Sequence, residues 1–572
     1  ERIGAGNAEA FDAEGWLYFT RQNFDLFYPG YGDSWPSLTG AIGMTYEQAG
    51  GGFGALAVDR PDGTTLTLAD RAAHHRTAGK ATLRTAAQGK ADLMQGFAEF
   101  HRTVDEGFTD VLLVPGHRPG SLHALIELLQ GQGIEVESAT EAFQVEAANH
   151  PGFESRTEFP VGTVRVRARQ SRGRLAMALL WPEHFLDAES TYDITSWSLP
   201  YVYGVEAHTT GEAPDGIWQG LEGHAARSGN PAEARYGYLI RPDFGAAPGL
   251  VDFLEAEGVA YAMTDTFRLG GQAFPRGTVF LPRGFNPDLE DRMDGAGLAG
   301  LAEPIATGIT EQGPDLGSGD RIALTLPQVG LLSGEGTTPT SMGAHWFFLE
   351  HRLGIPFHQI LVSEVASLDL DEFDVLIAPG GRGLPGVMGD RGLEALQAWI
   401  EDGGTLVAVD GSARALGRSL LDIEVRTDER DELDEDDRLD RALRTRDERD
   451  RDRWDSDVPG TILPLALDPS HPLAFGAGLD GRPGEAFVLS SGFGFEPDEE
   501  FESPAYFPPE MKKLSGVISD ENLERLSRSS WLIQAGLGSG NVILFADDPL
   551  FRMFWYAGFQ PYTNAILFGT GS

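Results

Sequence analysis

Glu47 is the first residue of this chain whose type and position favour chemistry. It ends an apolar, strand-like segment, Ala41–Glu47, which follows a loop rich in glycine, tyrosine and tryptophan at residues 28–36. A carboxylate held at the end of a strand and beside a loop is well placed to take a proton from a reacting group. The alternative is a strand-end glutamate that faces solvent or pairs with an arginine, and position alone leaves both interpretations open.

The histidines do not form the pattern of a metal site, and the chain contains no cysteine. His74 and His75 are adjacent on a predicted helix and face different directions, so only one of them points inward. His345 and His351 lie on another predicted helix, but not at the i, i+4 spacing that aligns two ligands. Without cysteine there is no thiolate ligand, disulfide or cysteine nucleophile. The sequence therefore assigns no metal ligand.

The composition is that of a large, acidic, globular protein. Its 572 residues correspond to three or four domains at roughly 100–200 residues each. A hydrophobic content of 41% supports packed cores and excludes wholesale disorder. No run approaches the length of uninterrupted apolar residues that a membrane helix needs, so we expect no transmembrane segment. The oligomeric state is left open.

The charge is strongly unbalanced, with 87 Asp and Glu against 44 Lys and Arg and a net charge of −43. Such a surface repels phosphate backbones, which excludes nucleic acid as a partner. The excess favours adaptation to concentrated salt, which screens the self-repulsion. A GC-rich genome is the alternative. It explains why there are only four lysines, but not the twofold excess of acidic residues.

Two similar units in the middle of the chain indicate an internal duplication. Each has a predicted strand, helix and strand, and each ends in Phe-Pro-x-Gly-Thr-Val, at residues 159–164 and 274–279. A shared motif at a matching distance from a shared pattern is the mark of a repeat. We expect both units to be parallel βαβ units with helices covering the sheet.

The last third of the chain predicts a doubly wound sheet. Strands are expected at 321–326, 374–379, 405–409 and 541–545, with helices at 341–353 and 393–401 between them. A mixed-charge run at about 424–457 has almost nothing to bury, which predicts a solvated insertion. The predicted domains are therefore 1–105, 106–215, 216–318 and 319–572.

The beginning of the chain resembles a peptidase family. The stretch Leu26-Phe-Tyr-Pro-Gly-Tyr-Gly-Asp-Ser-Trp35, followed by Gly43-Met-Thr-Tyr-Glu47-Gln-Ala, resembles the end of the catalytic domain of M14-type zinc carboxypeptidases, especially the large bacterial members. In that family a mobile tyrosine loop and an Asp–Trp pair lead to a strand with the catalytic glutamate and then a packing helix, which residues 68–100 match here. The resemblance implies a zinc cofactor, a peptide substrate and a secreted or periplasmic protein.

The resemblance also implies roles for single residues. Glu47 would be the general base and acid that activates water and protonates the leaving amine. Tyr28, with Tyr31 as the competing choice, would close over the C-terminal residue of a bound peptide. The family's zinc ligands, a His-x-x-Glu pair and a later histidine, precede the tyrosine loop. The 27 residues before Tyr28 contain no histidine, and His-x-x-Glu occurs nowhere in the chain.

The last domain resembles the class I glutamine-amidotransferase-like fold. Phe373-Asp-Val-Leu-Ile-Ala-Pro-Gly-Gly381 matches its strand and glycine turn, and the segment 403–413 falls at the nucleophile elbow. Active members carry cysteine there, whereas this chain has Asp410, which cannot replace a thiolate in glutamine hydrolysis. The resemblance thus implies a structural or ligand-binding domain. The Gly380-Gly381 turn is either an anion site of backbone amides or an ordinary tight turn.

The sequence as a whole predicts a multidomain α/β protein. We expect the C-terminal portion of an M14-like zinc metallocarboxypeptidase, followed by a duplicated α/β region and an amidotransferase-like doubly wound domain. As it lacks the zinc-ligand half, this chain is expected to be inactive by itself. The alternative is a non-catalytic scaffold that binds peptide or glycan. A third, weaker hypothesis makes the last domain a hydrolase that uses Asp410.

Overall fold

The computed structural model describes residues 1–20, 27–48, 56–103, 109–116, 118–183, 193–221, 233–426, 439 and 442–569. The chain is mixed α/β and divides into two compact units. The first comprises Glu1–Thr109 and Arg167–Leu179, and the second comprises Asp110–Val166 and Leu180–Ser572. Every helix in the described ranges is too short or too polar to cross a lipid bilayer.

The first unit is mainly helical. Its elements are α1 (Arg2–Glu14), α2 (Ser34–Leu38), β1 (Ala57–Asp59), β2 (Thr65–Thr67), α3 (Leu68–Gln88) and α4 (Lys90–Arg102). A capping box of Thr67 and Asp70 starts α3, because each side chain satisfies a backbone N–H that has no partner within the helix. The expected single helix over 68–100 is instead two helices, separated at Gly89.

Two expectations for the first unit are wrong. Residues 42–48, which include Glu47, form irregular chain and not a strand. A strand needs a ladder of backbone hydrogen bonds to a neighbour, and this segment is held mainly by side chains instead. The second concerns the long helix, in which apolar residues recur every three or four positions and predict one buried face (Leu83, Ala87, Ala91, Met94 and Ala98). That face is not buried. Leu83 is 73% exposed and Met94 is 62% exposed.

The second unit begins with a six-stranded sheet. Its strands lie in the order β10-β4-β8-β3-β9-β6. The elements of this part are β3 (Asp110–Leu113), α5 (Pro119–Gly131), β4 (Val136–Ala139), β5 (Phe143–Gln144), β6 (Ala148–Asn149), β7 (Glu158–Phe159), β8 (Val164–Val166), α7 (Leu199–Tyr203), β9 (Ala207–Thr210) and β10 (Trp218–Gly220). The helix that follows β8 in the chain, α6 (Gly173–Leu180), lies in the first unit except for its last residue.

A five-stranded sheet follows with the order β16-β11-β15-β12-β17. Read from its other end, this order matches β10-β4-β8-β3-β9 strand for strand. The elements are β11 (Gly237–Ile240), α8 (Ala247–Glu255), β12 (Tyr261–Met263), β13 (Phe267–Leu269), β14 (Gln272–Phe274), β15 (Val279–Pro282), α9 (Leu289–Gly295), β16 (Ala302–Ile305) and β17 (Arg321–Ala323).

The pairing within these two sheets differs from the expected parallel βαβ units. In the first sheet β8 lies between β3 and β4 and is antiparallel to both. In the second sheet β15 lies in the same way between β11 and β12. The two strands joined by the helix are therefore parallel but not adjacent, because the strand after the repeated motif is inserted between them.

The repeated Phe-Pro-x-Gly-Thr-Val motif forms the same turn twice. In each copy the threonine hydroxyl donates to the proline carbonyl, at 2.7 Å for Thr163 and 2.6 Å for Thr278. The glycine has a φ of 85° in one copy and 80° in the other, the left-handed region that glycine adopts without steric cost. The motif therefore defines the sharp turn that feeds β8 and β15 into the middle of their sheets.

A nine-stranded sheet ends the chain, in the order β19-β18-β20-β21-β26-β25-β24-β22-β23. Its elements are β18 (Val329–Ser333), α10 (Pro339–Phe347), β19 (Phe357–Leu361), β20 (Val375–Ala378), α11 (Leu384–Glu401), β21 (Thr405–Val409), α12 (Asp410–Leu421), α13 (Arg446–Ser456), β22 (Thr461–Leu467), β23 (Glu485–Ser490), β24 (Glu502–Tyr506), α14 (Asp520–Leu526), β25 (Ser530–Leu537), β26 (Gly540–Phe545) and α15 (Phe559–Leu567).

The first five strands of this sheet, β19-β18-β20-β21-β26, are parallel. Numbered along the chain, their order is 2-1-3-4-5, as in doubly wound sheets. Their apolar residues form one large buried core. Of the predicted charged insertion at about 424–457, residues 427–438 and 440–441 lie outside the described residues, and α13 contains the rest of its most charged part.

Candidate functional site

Glu47 lies between two residues that are fixed to neighbouring helices. The Tyr46 hydroxyl accepts a hydrogen bond from Asn7 on α1 at 2.9 Å and lies 2.6 Å from the Thr82 hydroxyl on α3. The Gln48 side-chain oxygen lies 2.5 Å from Nδ1 of His74. Glu47 itself is exposed. Its backbone is therefore held on both sides while its carboxylate projects from the unit.

Tyr28 and Tyr31 form an edge-to-face pair, with ring centroids 5.4 Å apart. Both are half-buried, and the loop closes through a bond from the Tyr31 N–H to the Tyr28 carbonyl at 3.3 Å. A side chain at Gly30 would lie only 2.5 Å from the Tyr28 ring. In this structure Tyr28 therefore packs over its own loop, where glycine leaves room for it.

The structure brings the tyrosine loop and the Glu47 segment together. The Thr45 hydroxyl donates to the Asp33 carboxylate, and the Gly43 N–H donates to the Ser37 hydroxyl at 3.2 Å. At Gly43 a Cβ would lie 1.6 Å from the Asp33 carbonyl oxygen, so only glycine permits this approach. Residues 28–38 and 43–48 are thus parts of one local structure.

The described residues do not fit a zinc ion. Within them, no group of three or more His, Asp or Glu side chains is arranged to hold a metal, whereas a catalytic zinc needs three protein ligands. His74 packs against the Trp16 ring at 4.2 Å and pairs with Gln48, while His75 is exposed. His345 is fully buried. Among the described residues, none of these histidines belongs to a group of three such side chains.

A second group of polar residues lies at the carboxyl edge of the nine-stranded sheet. Asp410 stands where β21 turns into α12, with a φ of 50°. This is a strained conformation for a residue with a side chain. A Cβ at Gly380 would lie 3.1 Å from Asp410 Oδ2, and one at Gly411 would lie 2.4 Å from the Gly381 carbonyl oxygen. The elbow therefore depends on glycines at both points of contact.

Ser341 connects this elbow to the end of the chain. Its hydroxyl donates to Asp548 Oδ2 at 2.6 Å and accepts from the Gly380 N–H at 2.9 Å. Nε2 of the buried His345 lies 3.5 Å from Asp548 Oδ1, and its Nδ1 lies 2.5 Å from the Tyr562 hydroxyl. Burial raises the pKa of Asp548, but His345 and Ser341 outweigh it, so that pKa is below its usual value.

Asp410 and Asp547 are shifted in the opposite direction. Burial raises the pKa of Asp410, and the nearby charge of Asp548 raises it further. Burial also raises the pKa of Asp547 to about 7, although Asp547 accepts bonds from the Ser491 N–H at 2.6 Å and the Trp531 ring N–H at 3.1 Å. The edge therefore contains three carboxyl groups in unequal environments.

The Gly380-Gly381 turn does not provide a free pair of amides for an anion. The Gly380 N–H already donates to Ser341, and the Asp410 carboxylate lies beside it. A negative ligand here would meet that carboxylate. The ordinary interpretation, a tight turn between strand and helix, is the one that the geometry favours.

Sequence reasoning missed the network of Ser341, His345 and Asp548. The signal that was present is positional: Asp410 directly follows β21, and Asp547 and Asp548 follow β26 after Ala546, both strands being parallel members of one sheet. Because the carboxyl ends of parallel strands meet at one edge, polar residues there converge. The separation of Ser341 from Asp548 by 207 residues concealed their pairing.

Comparisons with known proteins do not name a family for this chain. No family model matches it, and no curated protein does. Solved structures match part of it at 11–15% identity. A protein described as a GMP synthase subunit from Thermoplasma acidophilum has 11% identity and a TM-score of 0.25, covering 41% of this chain and 94% of that one.

Two further structures are similar at the same level. A cytoplasmic protein from Salmonella typhimurium has 11% identity and a TM-score of 0.24, covering 42% of this chain and 98% of that one. The β-galactosidase from Rahnella sp. R3 has 15% identity and a TM-score of 0.24, with 48% of this chain and 33% of that one covered. Scores this low carry no argument about fold or activity.

Proposed function

We propose that the first unit forms part of the active site of an M14-like zinc carboxypeptidase, with Glu47 as its proton-transferring residue. The single observation that carries the proposal is the position of Glu47, exposed between two anchored residues and on the same local structure as the tyrosine loop. This is the order of elements that the family resemblance implies. Peptide is the substrate class, and a secreted or periplasmic location belongs to the same proposal.

The residues of this chain would act on the peptide and on water. Glu47 takes a proton from the water that attacks the carbonyl carbon of the C-terminal peptide bond, and it returns that proton to the leaving amine. The hydroxyl of Tyr28 or Tyr31 bonds to the C-terminal residue of the peptide. Because the described residues do not fit zinc, the metal's ligands belong to other residues.

The test is an assay of the protein expressed from its whole natural reading frame, whatever the length of that frame, on blocked dipeptides with zinc supplied. We expect release of the C-terminal residue that a chelator abolishes. Glu47→Gln should lower kcat by roughly 10²–10⁴-fold, the usual contribution of a general base. Glu14→Gln is the matched control, since Glu14 is also an exposed carboxylate of the first unit. Full activity of Glu47→Gln would refute the proposal.

Tyrosine variants separate the two candidate hydroxyls. Loss of a hydroxyl that binds substrate equally in the ground and transition states raises KM and leaves kcat unchanged. We therefore expect either Tyr28→Phe or Tyr31→Phe to raise KM. The 572-residue chain assayed alone should show no turnover. Robust, chelator-sensitive hydrolysis by this chain alone would contradict the assignment of the metal ligands to other residues.

We infer that the last domain is amidotransferase-like in architecture but does not hydrolyse glutamine. The strand order 2-1-3-4-5 and the sharp turn at Asp410 support the resemblance, and an aspartate stands in the nucleophile's place. A hydrolase that uses Asp410 is the weaker alternative. If Asp410→Asn retains full activity on every substrate that the protein cleaves, the hypothesis that Asp410 is catalytic is wrong.

A non-catalytic scaffold that binds peptide or glycan is the second candidate for the whole protein. The observation that favours it is the poor fit of the described residues to zinc. The two functions differ in what happens to a bound peptide. A scaffold retains an intact peptide after prolonged incubation with zinc, whereas the peptidase shortens it, and mass spectrometry of the recovered peptide separates the two outcomes.

A further inference from the structure

A cavity of about 240 Å³ lies within the second unit, far along the chain from Glu47. Its lining includes Gly116, which follows β3, and Arg241 and Asp243, which follow β11. Because β3 and β11 occupy equivalent positions in the two similar sheets, the cavity lies where their carboxyl ends meet. Pockets for drug-sized ligands measure about 300–1,000 Å³, so this cavity suits a smaller molecule.

The approach of the two sheets at this point depends on glycine. A Cβ on Gly120 would lie 2.8 Å from both carboxylate oxygens of Asp243 and 2.9 Å from the Cα of Gly245. Asp243 accepts the Gly120 N–H at 2.6 Å and the Gly245 N–H at 3.2 Å. The bond to Gly120 caps the first turn of α5, which places the carboxylate on the wall of the cavity.

Arg241 is the positively charged residue that lines the cavity, and its guanidinium already interacts with other groups. Its guanidinium pairs with Glu303 at 3.0 Å, donates to the Ala273 carbonyl at 2.8 Å and lies over the Phe274 ring at 4.5 Å. Glu303 is thereby neutralised, whereas Asp243 is bound by backbone amides. Among the charged residues that line the cavity, one negative charge is left over.

Asp243 retains the capacity to accept further hydrogen bonds. It is 9% exposed, and an ionised carboxylate has about four acceptor positions, of which two are used here. Burial raises the pKa of Asp243 above its usual value, and the bonds from Gly120 and Gly245 and the nearby Arg118 only partly offset this. The Nη atoms of Arg118 bond to the carbonyls of Gly204 and Gly476. Arg118 therefore keeps its charge near Asp243, and what Asp243 offers to a donor in the cavity is its remaining acceptor positions.

The other side chains that line the cavity are apolar or small. Ile240, Leu301 and Pro119 line the cavity together with small residues, and Ile240 is 1% exposed. Such side chains accept a short hydrocarbon body. The lining thus combines one negatively charged hydrogen-bond acceptor, Asp243, with apolar side chains.

We propose that this cavity binds a small primary ammonium compound with a short apolar body, whose ammonium group donates to Asp243. An amine and an amino acid share this chemistry, and the test separates them. The proposal is independent of the activity assigned to Glu47, so either can fail without the other.

The experiment is calorimetric titration of the full chain with three probes of similar shape. The first probe is 3-methylbutylamine, the second is 3-methylbutanol, which lacks the charge, and the third is L-leucine, which adds a carboxylate. We expect the amine to bind at one saturable site and the alcohol to bind at least about tenfold more weakly, the value of a hydrogen bond to a charged group. Equal binding of the amine and the alcohol would overturn the proposal.

The affinity for L-leucine, compared with that for the amine, shows which class of compound the cavity binds. Binding as tight as that of the amine identifies amino acids as ligands, and weaker binding identifies simple amines. Asp243→Asn should weaken amine binding about tenfold, while Asp252→Asn, an exposed carboxylate on α8, should not change it. Equal weakening by both variants would show binding to the acidic surface in general and would overturn the proposal.

A second variant covers the case in which Asp243→Asn does not fold. Leu301→Trp fills the cavity and leaves every charge in place. We expect it to abolish amine binding while the circular dichroism spectrum is retained. Unchanged binding by folded Leu301→Trp would place the ammonium outside the cavity and would overturn the proposal.

Discussion

The hydroxyl of Ser341 donates to Asp548 Oδ2 at 2.6 Å across 207 residues of sequence. The Ser341 hydroxyl oxygen also accepts a hydrogen bond from the Gly380 N–H. The Ser341 side chain therefore joins the start of α10, the turn after β20 and the segment after β26. Asp548 is largely buried, with a side chain 10% exposed. This pair holds the carboxyl edge of the nine-stranded sheet together.

Removing the Ser341 hydroxyl should destabilise the protein. Ser341→Ala leaves a buried carboxylate without one donor and a backbone N–H without its acceptor, which costs about 1–3 kcal/mol for each unsatisfied group. Urea unfolding measures the loss. Ser367→Ala is the control, since that hydroxyl bonds only to the exposed turn at Glu364. Equal stability of the two variants would show that the network contributes nothing.

The backbone conformation at position 410 should favour glycine over residues that carry a Cβ. Asp410→Gly and Asp410→Ala both remove the carboxylate, but only alanine keeps a Cβ at a φ of 50°. The left-handed conformation costs a non-glycine residue about 1–2 kcal/mol. We therefore expect the glycine variant to be more stable than the alanine variant by about that amount, measured by chemical denaturation. Equal stabilities would mean that the elbow relaxes when the side chain is removed.

The two copies of the repeated turn should respond differently to alanine. Gly162→Ala should cost about 1–2 kcal/mol, because it places a Cβ in the left-handed region. Its Cβ would find its nearest neighbour, Pro115 Cγ, at 3.8 Å. Gly277→Ala should cost about 1–3 kcal/mol more, because there the Cβ would lie 2.6 Å from Phe475 Cβ. Thermal unfolding of both variants gives the comparison, and equal losses would contradict it.

Asp547 should make the protein less stable as the pH rises from about 4 towards 7. Its folded-state pKa is raised to about 7 from 3.8. The folded state therefore binds more protons than the unfolded state in this window, and the free energy of unfolding falls with pH. The full effect is on the order of a few kcal/mol, complete above pH 7.

The measurement is the pH dependence of the unfolding free energy in wild-type protein and in Asp547→Asn. The variant loses the acceptor for the Trp531 ring N–H, so its absolute stability also changes. The informative quantity is the slope of the unfolding free energy against pH. Between pH 4 and 7 the variant should lack the negative contribution of one titrating group, so its slope should be more positive than that of the wild type. Asp390→Asn, an exposed carboxylate on α11, should keep the wild-type slope. Identical slopes for all three proteins would contradict the assignment to Asp547.

The sequence determined those features that depend on neighbours along the chain. Thr67 and Asp70 cap α3 because their spacing alone satisfies the helix end. The Phe-Pro-x-Gly-Thr-Val turn forms twice because its glycine, proline and threonine act within four residues of one another. The apolar runs at 375–378 and 405–409 form buried parallel strands, since nearly continuous hydrophobic residues suit a sheet that is covered on both faces.

Tertiary structure decided the features that depend on distant partners. The insertion of β8 between β3 and β4 is not visible in the periodicity, because the same strands would suit an adjacent parallel pairing equally well. The hydrophobic pattern of α3 and α4 gave no indication that Leu83 and Met94 would be exposed. The pairing of Ser341 with Asp548 and the cavity beside Asp243 likewise arise only when separate strand ends meet, since hydrogen bonds and cavities depend on distances in space that sequence spacing does not encode.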